Sequence, residues 1–280
     1  AVEPRDRRPS FARTFQIMVS GYGINFVTPF VQLGGEPYRV AALTPWLGMS
    51  RAAGAVILYF MLHAASNIVL WAAGALLTLT VPGIDRGTAV TALVLLVFIL
   101  GLAFLLWRAH LKGGLQTILD LASRLPLLNR IARRLEPRRA TLAAIDRQIT
   151  DFYHRTPNLL RAALALELLA RALIAVEIMI IGQATRVPVS FTHAVIVTGF
   201  AGLVINATFF VPFMLGTWEG SFVASYAMLG LSPRLGLAVG FITRLRELCW
   251  VGIGLLLLLL PGTRGPRPAT PTRSSPAASS

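Results

Sequence analysis

The chain alternates between long apolar stretches and short polar or glycine-rich segments. Six of the apolar stretches approach or exceed the roughly 20 residues that a helix needs to cross a bilayer. They are residues 14–33, 52–79, 89–107, 158–182, 191–210 and 233–260. This pattern predicts an all-α fold, that of a polytopic integral membrane protein with about six spans.

A short pattern occurs twice. An asparagine, a proline, a Leu-Gly pair, a glutamate and a second Leu-Gly pair follow one another in both copies, 181 to 183 residues apart. The copies are Asn25, Pro29, Leu33-Gly34, Glu36 and Leu47-Gly48, then Asn206, Pro212, Leu215-Gly216, Glu219 and Leu229-Gly230. Transporters are often built from duplicated halves with interrupted helices near the bilayer midplane. We therefore predict that residues 34–50 and 211–231 are broken or re-entrant elements of an internal repeat.

Composition also favours a membrane setting. Hydrophobic residues make up 55% of the chain and charged residues 14%, with a mean hydropathy of +0.67. Soluble domains usually have about 25% charged residues. The net charge of +14 is concentrated in loops and tails, which indicates positive-inside topology. We expect no nucleic-acid partner.

Residues 108–157 hold ten Lys or Arg against four Asp or Glu. Apolar side chains recur there at helical spacing, which predicts a basic, amphipathic cytoplasmic loop, with specific binding of anionic lipid as the alternative. Residues 1–260 are predicted to form a single transmembrane domain, and the Pro/Ser/Thr/Ala-rich residues 261–280 a disordered tail. Residues 1–13 do not have the pattern of a secretory signal, and we expect helices upstream of them to be missing.

Motifs for metal or cofactor chemistry are absent from the sequence. Cys249 is the only cysteine, and the four histidines lack the spacing of metal ligands. Triad, P-loop and dinucleotide-binding signatures are also absent. We expect no catalytic residue, no metal and no cofactor.

Two motifs resemble those of the flippase-like transmembrane region of the lysylphosphatidylglycerol synthetase family. They are Pro29-x3-Leu33-Gly34-Gly35-Glu36-x2-Arg39 and Pro212-x2-Leu215-Gly216-x2-Glu219. The segment Arg244-Leu-Arg246-Glu247-Leu is similar to the arginine-bearing helix that follows the second motif. Phe213 and Met214 depart from the family's usual Gly-Gly. The resemblance extends over nearly the whole chain and implies a lipid-binding or lipid-translocating membrane module, without the family's aminoacylating activity.

Glu36 and Glu219 are the first candidates for a binding site. A carboxylate inside the membrane costs at least about 2.5 kcal/mol unless it is paired or hydrated. Each follows a glycine turn, where backbone groups can face a cavity. They would contact a cationic or hydroxylated headgroup or a coupling proton; alternatively, each caps a short helix or pairs with an arginine. The expected hinge or turn residues are Pro29, Gly34, Gly35, Pro212 and Gly216.

Arginines near the motifs are candidates for holding a lipid phosphate, because guanidinium binds phosphate with two parallel hydrogen bonds. Arg39, Arg244 and Arg246 are expected in this role. Glu247, which shares a helix face with Arg244, is expected in the same binding site. The alternative is an internal salt bridge from Arg244 to Glu247 or Glu219.

Polar residues also occur in two of the other apolar stretches. Glu167 and Arg171 are four residues apart and are expected to form a structural ion pair. His63 is expected to make an interhelical hydrogen bond, with a proton relay as the alternative.

These observations predict binding and flipping of an anionic phospholipid or a polyprenyl-phosphate-linked lipid by a multi-pass protein of the bacterial inner (plasma) membrane. The alternatives are a membrane-embedded transferase or hydrolase acting on a lipid-linked substrate, with Glu36 or Glu219 as general base, and a non-catalytic subunit of a membrane complex. The expected partners are a membrane lipid, recognised by its anionic headgroup or phosphate, and either a second copy of the chain, as a homo-oligomer, or a membrane partner protein.

Overall fold

The computed structural model describes residues 9–28, 34–111, 123 and 157–260, with the backbone alone at residues 106, 107 and 109–111. These residues form eight α-helices and a short 3-10 helix at Pro212–Met214, and none of them lies in a β-strand. The all-α prediction is therefore confirmed for this part of the chain. The helices are α1 (Phe11–Val27), α2 (Gly35–Leu47), α3 (Met49–Thr78), α4 (Arg86–Leu111), α5 (Pro157–Ala184), α6 (Phe191–Ala207), α7 (Thr217–Met228) and α8 (Pro233–Leu259).

Two helices are long and apolar enough, by length and composition, to cross a membrane. They are α3 and the part of α4 from Arg86 to Leu105, and α6 is a shorter apolar helix. Helices α5 and α8 have 28 and 27 residues, which is sufficient length for a bilayer. Charged residues reduce their hydropathy, so composition alone supports fewer than the six predicted spans. These residues are Arg161, Glu167, Arg171 and Glu177 in α5, and Arg234, Arg244, Arg246 and Glu247 in α8.

The same order of elements occurs on either side of α4 and α5. A helix of 17 residues, a break, a short helix, a glycine turn and a long helix make up α1 to α3, and again α6 to α8. The short helices have 13 and 12 residues and the long ones 30 and 27. The glycine turns are at Gly48 and Gly230, with φ of 77° and 67°, a region that L side chains rarely adopt. The duplicated motif thus coincides with a duplicated order of helices.

The six helices of the two copies form a closed circuit of contacts, in the order α1, α2, α3, α6, α7, α8 and back to α1. Glycines occupy both crossings between the copies. A Cβ atom at Gly254 of α8 would lie 2.4 Å from the Val19 carbonyl oxygen of α1, and one at Gly74 of α3 would lie 3.3 Å from Gly199 Cα of α6. Small residues allow close helix packing where neighbouring lipid is as apolar as the side chains.

The remaining helices, α4 and α5, pack against this circuit. Helix α4 packs on α3, whereas α5 packs on α3 and α6 and also reaches α8. The main apolar core joins α5 to α6, α7 and α8, and its members include Ala175, Ile178, Val197, Tyr226 and Val239. Helix α5 therefore contacts both copies of the repeat.

Several predictions concern residues outside the described ranges. They are the turn role of Pro29, the tail at residues 261–280, and nearly all of the basic loop at residues 108–157. The described residues therefore bear on the predicted repeat and helices, and these three predictions lie outside them.

Candidate functional site

The first break lies between α1 and α2, and the side chain of Asn25 joins its two ends. Asn25 Oδ1 accepts a hydrogen bond from the Gly35 amide at 2.6 Å, and Nδ2 donates to Glu36 Oε1 at 3.1 Å. Glu36 lies in the first turn of α2, where unpaired backbone amides and the positive end of the helix dipole favour a carboxylate. The last turn of α1 is thereby connected to the start of α2.

Arg39 follows Glu36 by one turn and is buried, with 3% of its surface exposed. Its Nη1 donates to Glu36 Oε1 at 2.7 Å, and its Nη2 donates to the Met18 carbonyl oxygen at 3.1 Å. The guanidinium carbon lies 5.3 Å from the centroid of the Tyr59 ring on α3, a cation–π distance. Arg39 Nε and Glu36 Oε2 are buried and have no hydrogen-bond partner among the described residues. One donor and one acceptor of this pair are therefore buried and unpaired among the described residues.

Close approach of atoms of α1 and its C-cap residue, backbone at Gly35 and side chain at Gly34, explains the glycines of the first break. A Cβ atom at Gly35 would lie 2.0 Å from the Gly21 carbonyl oxygen, and one at Gly34 would lie 2.2 Å from Thr28 Oγ1. Both distances are far below any non-bonded contact. Gly34 itself has φ −66°, so it is required for space and not for an unusual backbone conformation.

The second break lies between α6 and α7 and contains left-handed backbone. Pro212 begins the 3-10 helix, Phe213 and Met214 have φ of 52° and 50°, and Gly216, with φ 75°, precedes the first residue of α7. Positive φ is unfavourable for residues other than glycine. The backbone of this break is therefore strained, as is often the case at functional sites.

Arg244 of α8 closes the second break. Its Nη2 donates to the carbonyl oxygens of Phe213 and Met214 at 2.7 and 3.2 Å, and its Nε lies 3.5 Å from Glu219 Oε1 in the first turn of α7. Only 7% of the residue is exposed. Its Nη1 is buried and has no hydrogen-bond partner in the described part of the chain. Arg244 thus has one buried donor without a partner among the described residues, as Arg39 has in the first break.

Aromatic rings surround the Arg244 guanidinium. Its central carbon lies 5.6 Å from the Trp218 ring centroid and 5.8 Å from that of Phe26 on α1. Phe26 also packs against Phe213, with ring centroids 6.2 Å apart. Because Asn25 and Phe26 are consecutive, the last turns of α1 contact both breaks.

Comparison with known proteins shows the family of the chain. A family model described as the lysylphosphatidylglycerol synthase TM region matches residues 2–255. The chain belongs to this family. No curated protein and no solved structure matches it. The resemblance seen in the motifs is confirmed, and the chain is a membrane protein related to the transmembrane region of lysylphosphatidylglycerol synthases.

One departure from the motif of the lysylphosphatidylglycerol synthase TM region has a structural consequence. Phe213 and Met214 stand where the family usually has two glycines, and both have positive φ. The backbone conformation that glycine adopts easily is therefore present with L side chains, at an energetic cost. The hydrogen bonds from Arg244 to both carbonyl oxygens stabilise it.

The structure separates the two arginines of α8 that were predicted to act together. Arg246 reaches α5 and forms an ion pair with Glu177. Glu247 has no ion-pair partner among the described residues, and Arg244 pairs with Glu219, not with Glu247. Arg244 therefore contacts the second break, whereas Arg246 contacts α5.

A third polar cluster lies between α3 and α5. The predicted pair of Glu167 and Arg171 is present, with Oε2 and Nη2 3.6 Å apart. Glu167 Oε2 also lies 3.3 Å from His63 Nδ1 and accepts a hydrogen bond from Ser66 Oγ at 3.3 Å. Arg171 Nε donates to Ser66 Oγ at 3.3 Å. The four side chains thus form an interhelical network.

Sequence reasoning did not assign Asn25, Phe26 or Tyr59 to the site. Asn25 offered a signal, because an amide in apolar sequence begins both copies of the repeat. Phe26 and Tyr59 lie in ordinary apolar stretches, and their contacts depend on how the helices pack. No group of three or more His, Cys, Asp or Glu within the described ranges could hold a metal ion.

Proposed function

We propose that the chain binds a lipid through its phosphate group and moves it between the two leaflets of the membrane. The central observation is that Arg39 and Arg244, one at each break, are buried and each have a nitrogen without a partner among the described residues. A buried N–H group without an acceptor is costly. Phosphate oxygens are the acceptors that guanidinium groups bind best.

The headgroup would contact the first break through Glu36. Its Oε2 is buried without a hydrogen-bond partner in the described part of the chain, so it can accept from a hydroxyl or an ammonium group. Oε1 is already used by Asn25 and Arg39. The ligand class is an anionic phospholipid or a polyprenyl-phosphate-linked lipid, and the proposal assigns no catalytic role to any residue.

The proposed setting is the inner (plasma) membrane of a bacterium, where α1, α3, α4, α5, α6 and α8 would be six spans. The two breaks would lie near the midplane, as interrupted helices do in many transporters. Pairing lowers the cost of charges within the spans. Three such pairs are Glu167–Arg171, Glu177–Arg246 and Glu219–Arg244.

The test is lipid movement in vesicles of phosphatidylethanolamine and phosphatidylglycerol that contain the purified full chain. Fluorescent phosphatidylglycerol and a fluorescent polyprenyl phosphate serve as probes, and an impermeant quencher reports the outer leaflet. Arg244→Lys keeps the charge but loses the two-pronged geometry, so the rate should fall at least about tenfold, or about 1.4 kcal/mol. Arg234→Lys, at an exposed position in the first turn of α8, is the matched control.

A second variant separates binding from scaffolding. Glu219→Gln should also fold, as judged by its thermal unfolding in detergent, and lose most lipid movement. If Arg244→Lys and Glu219→Gln both fold and move lipid like the wild type, the proposed site is wrong. If both variants fail to fold, Arg244 and Glu219 are scaffold residues and the proposed site is likewise rejected. If the wild-type protein moves neither probe, the proposed function is wrong.

A further inference from the structure

A series of ring and charge contacts connects the first break to the polar cluster between α3 and α5. The Arg39 guanidinium lies 5.3 Å from the centroid of the Tyr59 ring. The centroid of that ring lies 5.9 Å from that of His63, one turn further along α3. His63 in turn contacts Glu167 of α5. Charges at these positions affect one another strongly, because a membrane interior screens them weakly.

His63 has a hydrogen-bond partner in both of its protonation states. Arg171 Nη2 lies 2.9 Å from Nδ1 and 3.1 Å from Nε2, so a neutral imidazole can accept from the arginine through whichever nitrogen lacks a proton. Glu167 Oε2 lies 3.3 Å from Nδ1, so a protonated imidazole can donate to the carboxylate. The His63 side chain keeps 40% of its surface exposed.

The surroundings of His63 respond to an anion at the first break. Arg171 and Glu167 of α5 and Arg39 of α2 face it, and Arg39 is paired with Glu36. A lipid phosphate beside Arg39 would add a negative charge and so favour a positive charge on the imidazole. The titratable and charged groups around His63 are Tyr59 on its own helix, Arg39 on α2, and Glu167 and Arg171 on α5. Glu36 acts on Tyr59 and pairs with Arg39.

We propose that His63, held between Glu167 and Arg171, is the proton-binding site that couples lipid movement to proton movement, one proton with each singly charged lipid. This inference rests on the proposed function. A phosphodiester anion and a proton that cross together transfer no net charge, so the membrane potential does not oppose the movement. The phosphate occupies the breaks, and the proton occupies the cluster beside them.

The coupling predicts where the lipid accumulates. With one proton per anion, a pH difference of one unit across the vesicle membrane should concentrate the probe about tenfold in the leaflet that faces the more alkaline side. The probe is fluorescent phosphatidylglycerol in the vesicles described above, and the quencher measures its steady-state distribution. Protein-free vesicles of the same composition provide the background.

A histidine pair provides the variant and its control. His63→Gln should abolish the accumulation of the probe in one leaflet and leave it evenly distributed between the two. His193→Gln should keep the unequal distribution of the probe, because His193 lies at the start of α6, where its Nδ1 contacts Ser190 Oγ at 3.1 Å.

The outcomes distinguish the coupling from the function on which it rests. An even distribution with the wild-type protein, reached faster than in protein-free vesicles, overturns the coupling and leaves the lipid-moving function intact. An unequal distribution of the probe that persists in His63→Gln overturns the assignment of His63. No movement of the probe by the wild type overturns the lipid-moving function and the coupling together.

Discussion

The two breaks have the same chemistry but are built differently. In the first, Glu36 and Arg39 belong to one helix and are joined by a hydrogen bond of 2.7 Å. In the second, Glu219 and Arg244 belong to different helices, and their closest atoms are 3.5 Å apart. The asparagines differ as well, because Asn25 bridges the first break whereas Asn206 donates to the Gly202 carbonyl oxygen within its own helix.

This difference indicates that the two copies of the repeat have different roles. Direct side-chain hydrogen bonds hold the first break, and α2 begins without any residue of unusual φ at Gly34 or Gly35. Strained backbone forms the second break, and Arg244 stabilises it through carbonyl oxygens that would be released if the arginine moved. We therefore expect the first break to hold the lipid headgroup in place and the second to change shape during transport.

The largest expected effect comes from adding one methyl group at each break. Gly35→Ala places a Cβ atom 2.0 Å from the Gly21 carbonyl oxygen, so the free energy of unfolding should fall by about 3 kcal/mol. Gly216→Ala meets nothing within 4 Å and suffers only from its φ of 75°, a cost of about 1 kcal/mol. Thermal unfolding in detergent measures both.

Gly101→Ala controls for the substitution itself, because this α4 glycine has open space around it and alanine is the better helix former. It should be neutral or slightly stabilising. Equal losses at Gly35 and Gly216 would contradict the distinction between a tightly packed first break and an open second one.

The second prediction measures the two ion pairs separately. A double-mutant cycle of Glu36→Gln with Arg39→Met should give a coupling energy of about 2 kcal/mol, because the pair is hydrogen-bonded and largely buried. The same cycle for Glu219→Gln with Arg244→Met should give about 0.5 kcal/mol, because those atoms are not within hydrogen-bond distance. Unfolding of the four single and two double variants in detergent supplies the coupling energies. A larger coupling energy for Glu219 and Arg244 than for Glu36 and Arg39 would show that the second break is the rigid one.

Much of the fold follows from the hydrophobic pattern. The stretches at 52–79 and 158–182 correspond within a few residues to α3 and α5, because long apolar runs leave the helix as the only way to satisfy the backbone in a membrane. The broken elements were also located in advance, since Gly34 and Gly216 interrupt apolar sequence beside a carboxylate. Local rules of this kind need no knowledge of the tertiary arrangement.

The site itself was only partly predictable. Glu36 and Arg39 were both named as candidates, Glu36 from its glycine turn and Arg39 from the motif. Their direct hydrogen bond was not predicted, although they are three residues apart on one helix, a spacing that brings side chains together. Arg246 was assigned to the same site as Arg244, although residues two apart on a helix point in different directions, and it pairs with Glu177 of α5 instead. Contacts such as that of Phe26 with Arg244 depend on the crossing of α1 with α8, which a single sequence does not specify.

The smallest expected effect concerns the ring beside Arg244. Trp218 Nε1 donates to Thr243 Oγ1 at 3.1 Å, and this hydrogen bond fixes the indole next to the guanidinium. Trp218→Phe keeps an aromatic ring but removes the donor and weakens the cation–π contact, so stability should fall by about 1 kcal/mol. Trp250→Phe, at an α8 position that is 43% exposed, should cost less than about 0.5 kcal/mol. Because Trp218 lies beside the Arg244 guanidinium, lipid movement should be more sensitive to Trp218→Phe than to Trp250→Phe. Identical behaviour of the two variants in unfolding and in lipid movement would mean that the strained backbone alone, and not the indole, positions Arg244.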